Sequence, residues 1–181
     1  MRLRSFSLWQ LAGFGITAVC GTGLHFLYDL CGESPLAGLF SGVNESTWEH
    51  MKLLYVPLVL YALAERLFFR GVAGFWQIKA AGIVTGVMLI PLLFYTWNGA
   101  FGKSPDWVNI GIYFVAAAAA FMLEARLYTA PSGALPRSWL AKGALLLLGV
   151  LFVVFTFAPP HLPLFRDPLT GGYGSFLPVG G

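Results

Sequence analysis

Five stretches of the chain are apolar almost without a break: residues 8–30, 51–69, 78–97, 108–128 and 139–157. Each is close to the roughly 20 residues a helix needs to cross the hydrocarbon core of a bilayer. Between them lie segments rich in turn-forming residues, at 32–42, 70–74, 99–105 and 131–136. The runs are continuous rather than alternating, so they do not carry the two-residue period of a membrane β-barrel. The pattern predicts an all-α integral membrane bundle of five transmembrane helices. Residues 1–158 form the transmembrane domain, and a Pro/Gly-rich extracytoplasmic tail occupies residues 159–181.

Composition sharpens this picture. Of 181 residues, 57% are hydrophobic and only 10% charged, against about a quarter charged in a soluble domain. Such a chain cannot cover itself with water-facing side chains, and with two cysteines, Cys20 and Cys31, it is not a disulfide scaffold. Arg2 and Arg4 precede the first run as they would in a secretory signal. That run is too long for a signal core, and no A-x-A cleavage site follows. A lipoprotein signal is disfavoured by Val19 before Cys20.

Charge then sets an orientation. Counting alternate loops, one face holds eight cations (Arg2, Arg4, Arg66, Arg70, Lys79, Arg126, Arg137 and Lys142), and the other holds three, Lys52, Lys103 and Arg166. Six of the eight acids lie on the second face. The positive-inside rule therefore places the N-terminus inside and the C-terminus outside, in a multi-pass protein of the inner (plasma) membrane. The basic pI follows from that bias, so no nucleic-acid partner is expected.

All three histidines, and most of the acids, fall on the outer face. His25 and Asp29 are four residues apart and share one side of the first helix. The segment Asn44-Glu45-Ser46-Thr47-Trp48-Glu49-His50 leads into the second span. Ser46-x-x-Glu49 reads as a capping box, with Asn44 as an alternative cap. Glu45 and Glu49, at i and i+4, make a like-charge pair that Lys52, Arg166 or a bound metal would relieve. After the fifth span, prolines end the helix and the tail is expected to fold back over the outer surface, carrying His161 and Asp167 toward the other two segments. If the three segments meet, His25, Asp29, His50, His161 and Asp167 offer the nitrogen and oxygen donors that suit a divalent metal such as zinc. Glu45 and Glu49 are then the candidate catalytic carboxylates.

Other features read as construction. Ala116 to Ala120 and the Gly82/Gly86 pair permit close helix approach. Pro57 and Pro91 interrupt the second and third spans. Glu65 and Glu124 sit beside Arg66 and Arg126, where pairing or solvation at the inner interface is expected.

The decapeptide Val43-Asn44-Glu45-Ser46-Thr47-Trp48-Glu49-His50-Met51-Lys52 is flanked by His25-Phe26-x-Tyr28-Asp29 and by His161-x-Pro163-x-Phe165-x-Asp167-Pro168. With these flanks it resembles an uncharacterised family of small bacterial polytopic membrane proteins with a V-N-E-S-x-W-E-H-x-K signature. The resemblance implies a prokaryotic membrane protein and carries no activity. A looser similarity, to membrane hydrolases of the alkaline ceramidase type, is an analogy in which a metal is assembled from His and Asp across spans; those proteins have seven spans and a different motif order.

Three functions are consistent with these residues. The first is a metal-dependent hydrolase acting on a lipid or other amphiphile. The second is a scaffold or accessory subunit, as a homo-oligomer or with a partner membrane protein. The third is a small transporter using the same acids and histidines. Membrane lipids are the common partner of all three.

Overall fold

The computed structural model describes residues 3–129 and 137–175, with side chains from Leu8 onward. Arg2, the side chain of Arg4, the loop at 131–136 and the end of the tail at 176–181 lie outside the described residues. Among the described residues five long helices follow one another: α1 (Leu3–Leu30), α3 (Thr47–Phe68), α4 (Phe75–Phe101), α5 (Asp106–Thr129) and α6 (Ser138–Phe157). A four-residue helix, α2 (Pro35–Gly38), lies in the first loop, and a 3-10 turn at Pro163–Phe165 lies in the tail. Neither short element was legible in the apolar pattern. Among the described residues there is no strand, only an isolated bridge between Arg166 and Tyr173.

Among the described residues four helices are long and apolar enough to cross a membrane: α1 over Leu8–Leu30, α4, α5 and α6. The stretch expected as a further span folds as α3 but is not in that set. It carries Glu49, Lys52, Glu65 and Arg66, and the first three are buried. The reason is its position. α3 packs against α1, α4 and α6, so its polar groups face other helices. The peripheral helices show the converse, with Leu11, Val19, Leu146 and Leu147 largely exposed.

Lipid is as apolar as leucine, so helices in a membrane are held by close packing and by polar contacts between them. Both are present. At Gly86 an added Cβ would lie 3.0 Å from the Ala116 carbonyl and 3.0 Å from the Ala120 Cβ, which fixes the close α4–α5 approach the small residues predict. Tyr55 donates to the Leu145 carbonyl at 2.6 Å and Tyr61 to the Trp9 carbonyl at 2.6 Å, tying α3 to α6 and to α1. Pro57 and Pro91 lie inside continuous helices.

The tail does fold back over the Thr47 end of α3. Phe165 is buried against Trp48 and Phe155, with ring centroids 4.9 and 5.3 Å apart. Asn44 donates to the Gly174 carbonyl at 3.1 Å, and Ser175 N–H to the Thr156 carbonyl at 3.0 Å. Gly174 has φ +66°, and a Cβ there would stand 2.8 Å from the Thr156 carbonyl, so the tail needs glycine to approach α6.

Candidate functional site

The approach to α3 is organised by three side chains. Ser46 is the N-cap and its Oγ accepts from Glu49 N–H at 3.4 Å. Asn44 Oδ1 accepts from Ser46 N–H at 2.9 Å, so Asn44 shapes the turn before the cap and is not the cap itself. Glu49 does not close the box onto Ser46; its carboxylate accepts from Val43 N–H at 3.2 Å.

Lys52 then pairs with Glu49, one of the two acids that looked like a repelling pair. Its Nζ lies 2.6 Å from Glu49 Oε2 and donates to Thr156 Oγ1 at 2.7 Å and to the Gly38 carbonyl at 2.9 Å. Thr156 Oγ1 donates to Glu49 Oε1 at 2.8 Å. Glu49 and Lys52 are sealed from solvent. Glu49 is therefore engaged by Val43, Lys52 and Thr156. Glu45 precedes α3 altogether, so the helical i, i+4 relation between the two acids does not arise.

Glu45 turns instead toward the histidines. His25 Nε2 is 3.5 Å from one of its oxygens and His50 Nε2 is 3.5 Å from the other. One donor atom from each of His25, Glu45 and His50 falls within 4.8 Å of the others. His50 Nδ1 is 2.9 Å from the Ser46 carbonyl. A ring that donates there keeps its Nε2 lone pair free, the arrangement found behind metal-ligating histidines. The side chains are about a third exposed: His25 32%, His50 30%, Glu45 39%. These three donors are suited to a divalent ion with a coordination position left open.

The other sequence candidates are placed differently. Asp29 is exposed and lines the same 260 Å³ cavity as His25 and Glu45, outside the three-donor group. Asp167 also borders that cavity, but its oxygens accept from Leu169 N–H at 2.9 Å and Thr170 Oγ1 at 2.7 Å, closing its own turn. His161 is exposed, with its ring 4.6 Å from that of Tyr173. The tail thus brings Asp167 to the cavity that His25, Asp29 and Glu45 border, but not His161. Docking uses Phe165 and Gly174, and leaves the imidazole on the surface. Sequence reasoning missed Asp106, Asn109 and Tyr113 of α5, which border a cavity shared with His25, Glu45 and His50. Helical spacing on α5 was the only signal for them. Cys20 and Cys31 are free.

A second ionic cluster lies at the other end of α3, where Glu65 and Glu124 were expected as solvated or paired charges. They are paired, and buried rather than solvated. Both carboxylates contact Lys79 of α4, Glu124 at 2.5 Å, and all three side chains are about 1% exposed. Rings of Tyr61, Phe75 and Phe121 surround the ammonium at 5.8 to 5.9 Å. Arg66 instead donates to the Phe69 and Arg70 carbonyls at 2.7 and 2.6 Å, closing the end of its own helix.

These features define a helical membrane protein with a half-open His/Glu/His cluster at one end of its central helix. The chain belongs to DUF6512, a family of unknown function, whose model matches residues 1–175. No functionally curated protein and no solved structure matches it.

Proposed function

We propose that this is a multi-pass inner-membrane protein whose outward-facing His25, Glu45 and His50 hold a divalent metal such as zinc for hydrolysis of a lipid or other amphiphile. The observation that carries the reading is the pair of 3.5 Å separations between Glu45 and the two Nε2 atoms. They exceed the usual N–H···O range of 2.7–3.2 Å. They match the spacing of neighbouring ligands around a tetrahedral ion with bonds of about 2.0–2.2 Å.

In this reading α3 is the fifth crossing. Its 22 residues cover about 33 Å at 1.5 Å per residue, and its charges are tolerated because protein, not lipid, surrounds them. The N-terminus is inside and the C-terminus outside, from the excess of Arg and Lys at the Phe68 end of α3. Two imidazoles and one carboxylate form a donor set known from catalytic zinc sites. A metal there supplies a bound water of lowered pKa. With Glu45 as a ligand and Glu49 engaged by Lys52, a carboxylate that would take a proton there is Asp29, which borders the same cavity. The backbone carbonyl of Ser46 fixes the His50 ring, so the site is oriented by the first turn of α3.

Elemental analysis of protein purified without chelator tests the metal. Stoichiometric zinc that disappears in His25→Ala and in Glu45→Gln is expected. Wild-type protein that neither carries zinc nor takes it up on addition defeats the reading. Cys31 tests the orientation: it is exposed just beyond α1, so a membrane-impermeant maleimide should label it in cells whose outer barrier has been opened. Protection there, with labelling only after lysis, would invert the topology.

A further inference from the structure

Two cavities share His25 and Glu45. One, of about 260 Å³, is polar and bordered by Asp29, Glu33, Asn44, Asp167 and Thr170. Another, of about 500 Å³, runs sideways between α1 and α5 and is bordered by Gly21, Phe26, Leu53, Ile110, Phe114 and Leu169. His25 and Glu45 border both. A space of this size lies within the range of small-molecule sites. The second cavity begins nine residues before the end of α1 at Leu30, about 13 Å along the helix axis. Its flanks, Phe26 and Ile110, are more than half exposed. Both α1 and α5 are long and apolar enough to cross a membrane, so this mouth faces the hydrocarbon of the leaflet, where alkyl chains are the available occupant. Among the described residues the polar cavity is bordered by three carboxylates besides Glu45, and by no Lys or Arg. A phosphate or carboxylate head would meet like charge there.

We infer that the lateral cleft between α1 and α5 admits a single alkyl chain of a membrane amphiphile from within the leaflet, placing a non-anionic head in the acidic cavity beyond His25 and Glu45. The bond between head and chain is then held at the three donors. This inference rests on the hydrolase reading for its chemistry but not for its binding step.

The test is photolabelling of the full-length protein in phosphatidylcholine vesicles with dodecylamine carrying a diazirine on its chain, and with the corresponding dodecyl phosphate. The amine probe should label α1 around residues 21–26 and α5 around residues 110–114, and excess dodecylamine should suppress that labelling. Thr22→Trp/Ile110→Trp fills the mouth at positions where the side chains are exposed and should cut labelling there by about tenfold or more, a difference of about 1.4 kcal/mol in occupancy. Leu146→Trp on the exposed face of α6 should change nothing. Labelling spread equally over α6, or untouched by the Trp pair, overturns the inference. Equal labelling by the phosphate probe overturns the assignment of the head. Zinc content, measured on the same samples, separates the two proposals: cleft labelling without zinc sinks the hydrolase and spares the cleft, and zinc without cleft labelling does the reverse.

Discussion

At the Thr47 end of α3, His25, Glu45 and His50 stand about a third exposed around a shared space, with Glu45 out of good hydrogen-bonding range of either imidazole. At the Phe68 end, Glu65, Lys79 and Glu124 are about 1% exposed and in direct contact. Both clusters join residues from separate helices or loops, and both combine carboxylates with nitrogen groups. They differ in whether the groups satisfy one another. Buried ions must be paired, because removal from water costs several kcal/mol per charge and only close partners offset it. Groups left half-open with unused lone pairs retain capacity for a ligand. The Glu49–Lys52–Thr156 cluster sharpens the contrast, since it lies a few residues from the open site yet is as closed as the far one.

The most damaging single change should be Lys79→Met. It strands two carboxylates in a sealed pocket and is expected to cost about 3–5 kcal/mol, read as a lower unfolding midpoint in detergent. If the cluster is structural, Glu65→Leu/Lys79→Met/Glu124→Leu should recover most of that loss, because matched apolar groups replace buried ions at little net cost. A triple variant no more stable than Lys79→Met would break the comparison. Thr156→Val should come next. It removes an acceptor for Lys52 and a donor to Glu49, at about 1–3 kcal/mol, with zinc content unchanged. The smallest stability effect belongs to the open site. His25→Ala should shift unfolding of the metal-free protein by no more than about 0.5 kcal/mol while abolishing zinc retention. A collapse comparable to that of Lys79→Met would place His25 among the structural groups. In the wild type, zinc retention should fall as pH falls, since ligating imidazoles must be deprotonated; retention that rises on acidification would exclude histidine ligation.

The long helices were legible because each is a run of apolar residues that lipid or neighbouring helices demand, and their observed limits differ from the runs by only a few residues. The pairing of charges was not. Adjacency to Arg66 and Arg126 named no partner for Glu65 or Glu124; Lys79, on another helix, is brought to both where Gly82 and Gly86 pass close to α5. Helical periodicity says which side of α4 Lys79 occupies, not which helix faces it. At the candidate site the first two segments meet, with His25 beside Glu45 and His50. The third was half legible: prolines ended α6, but the anchoring of the tail by Phe165 and Gly174 depends on tertiary shape. The Ser46-x-x-Glu49 pattern suggested a reciprocal cap, and the structure realises only its Ser46 half, because Glu49 has Lys52 and Thr156 within reach.

The side-chain amide of Asn44 ties two pieces of chain together, with its oxygen on Ser46 N–H and its nitrogen on the Gly174 carbonyl. Ser46 in turn holds the His50 ring through its own carbonyl. Severing the polypeptide between α6 and Gly174 would therefore be felt at an imidazole more than a hundred residues earlier, through a relay of one amide and one peptide group.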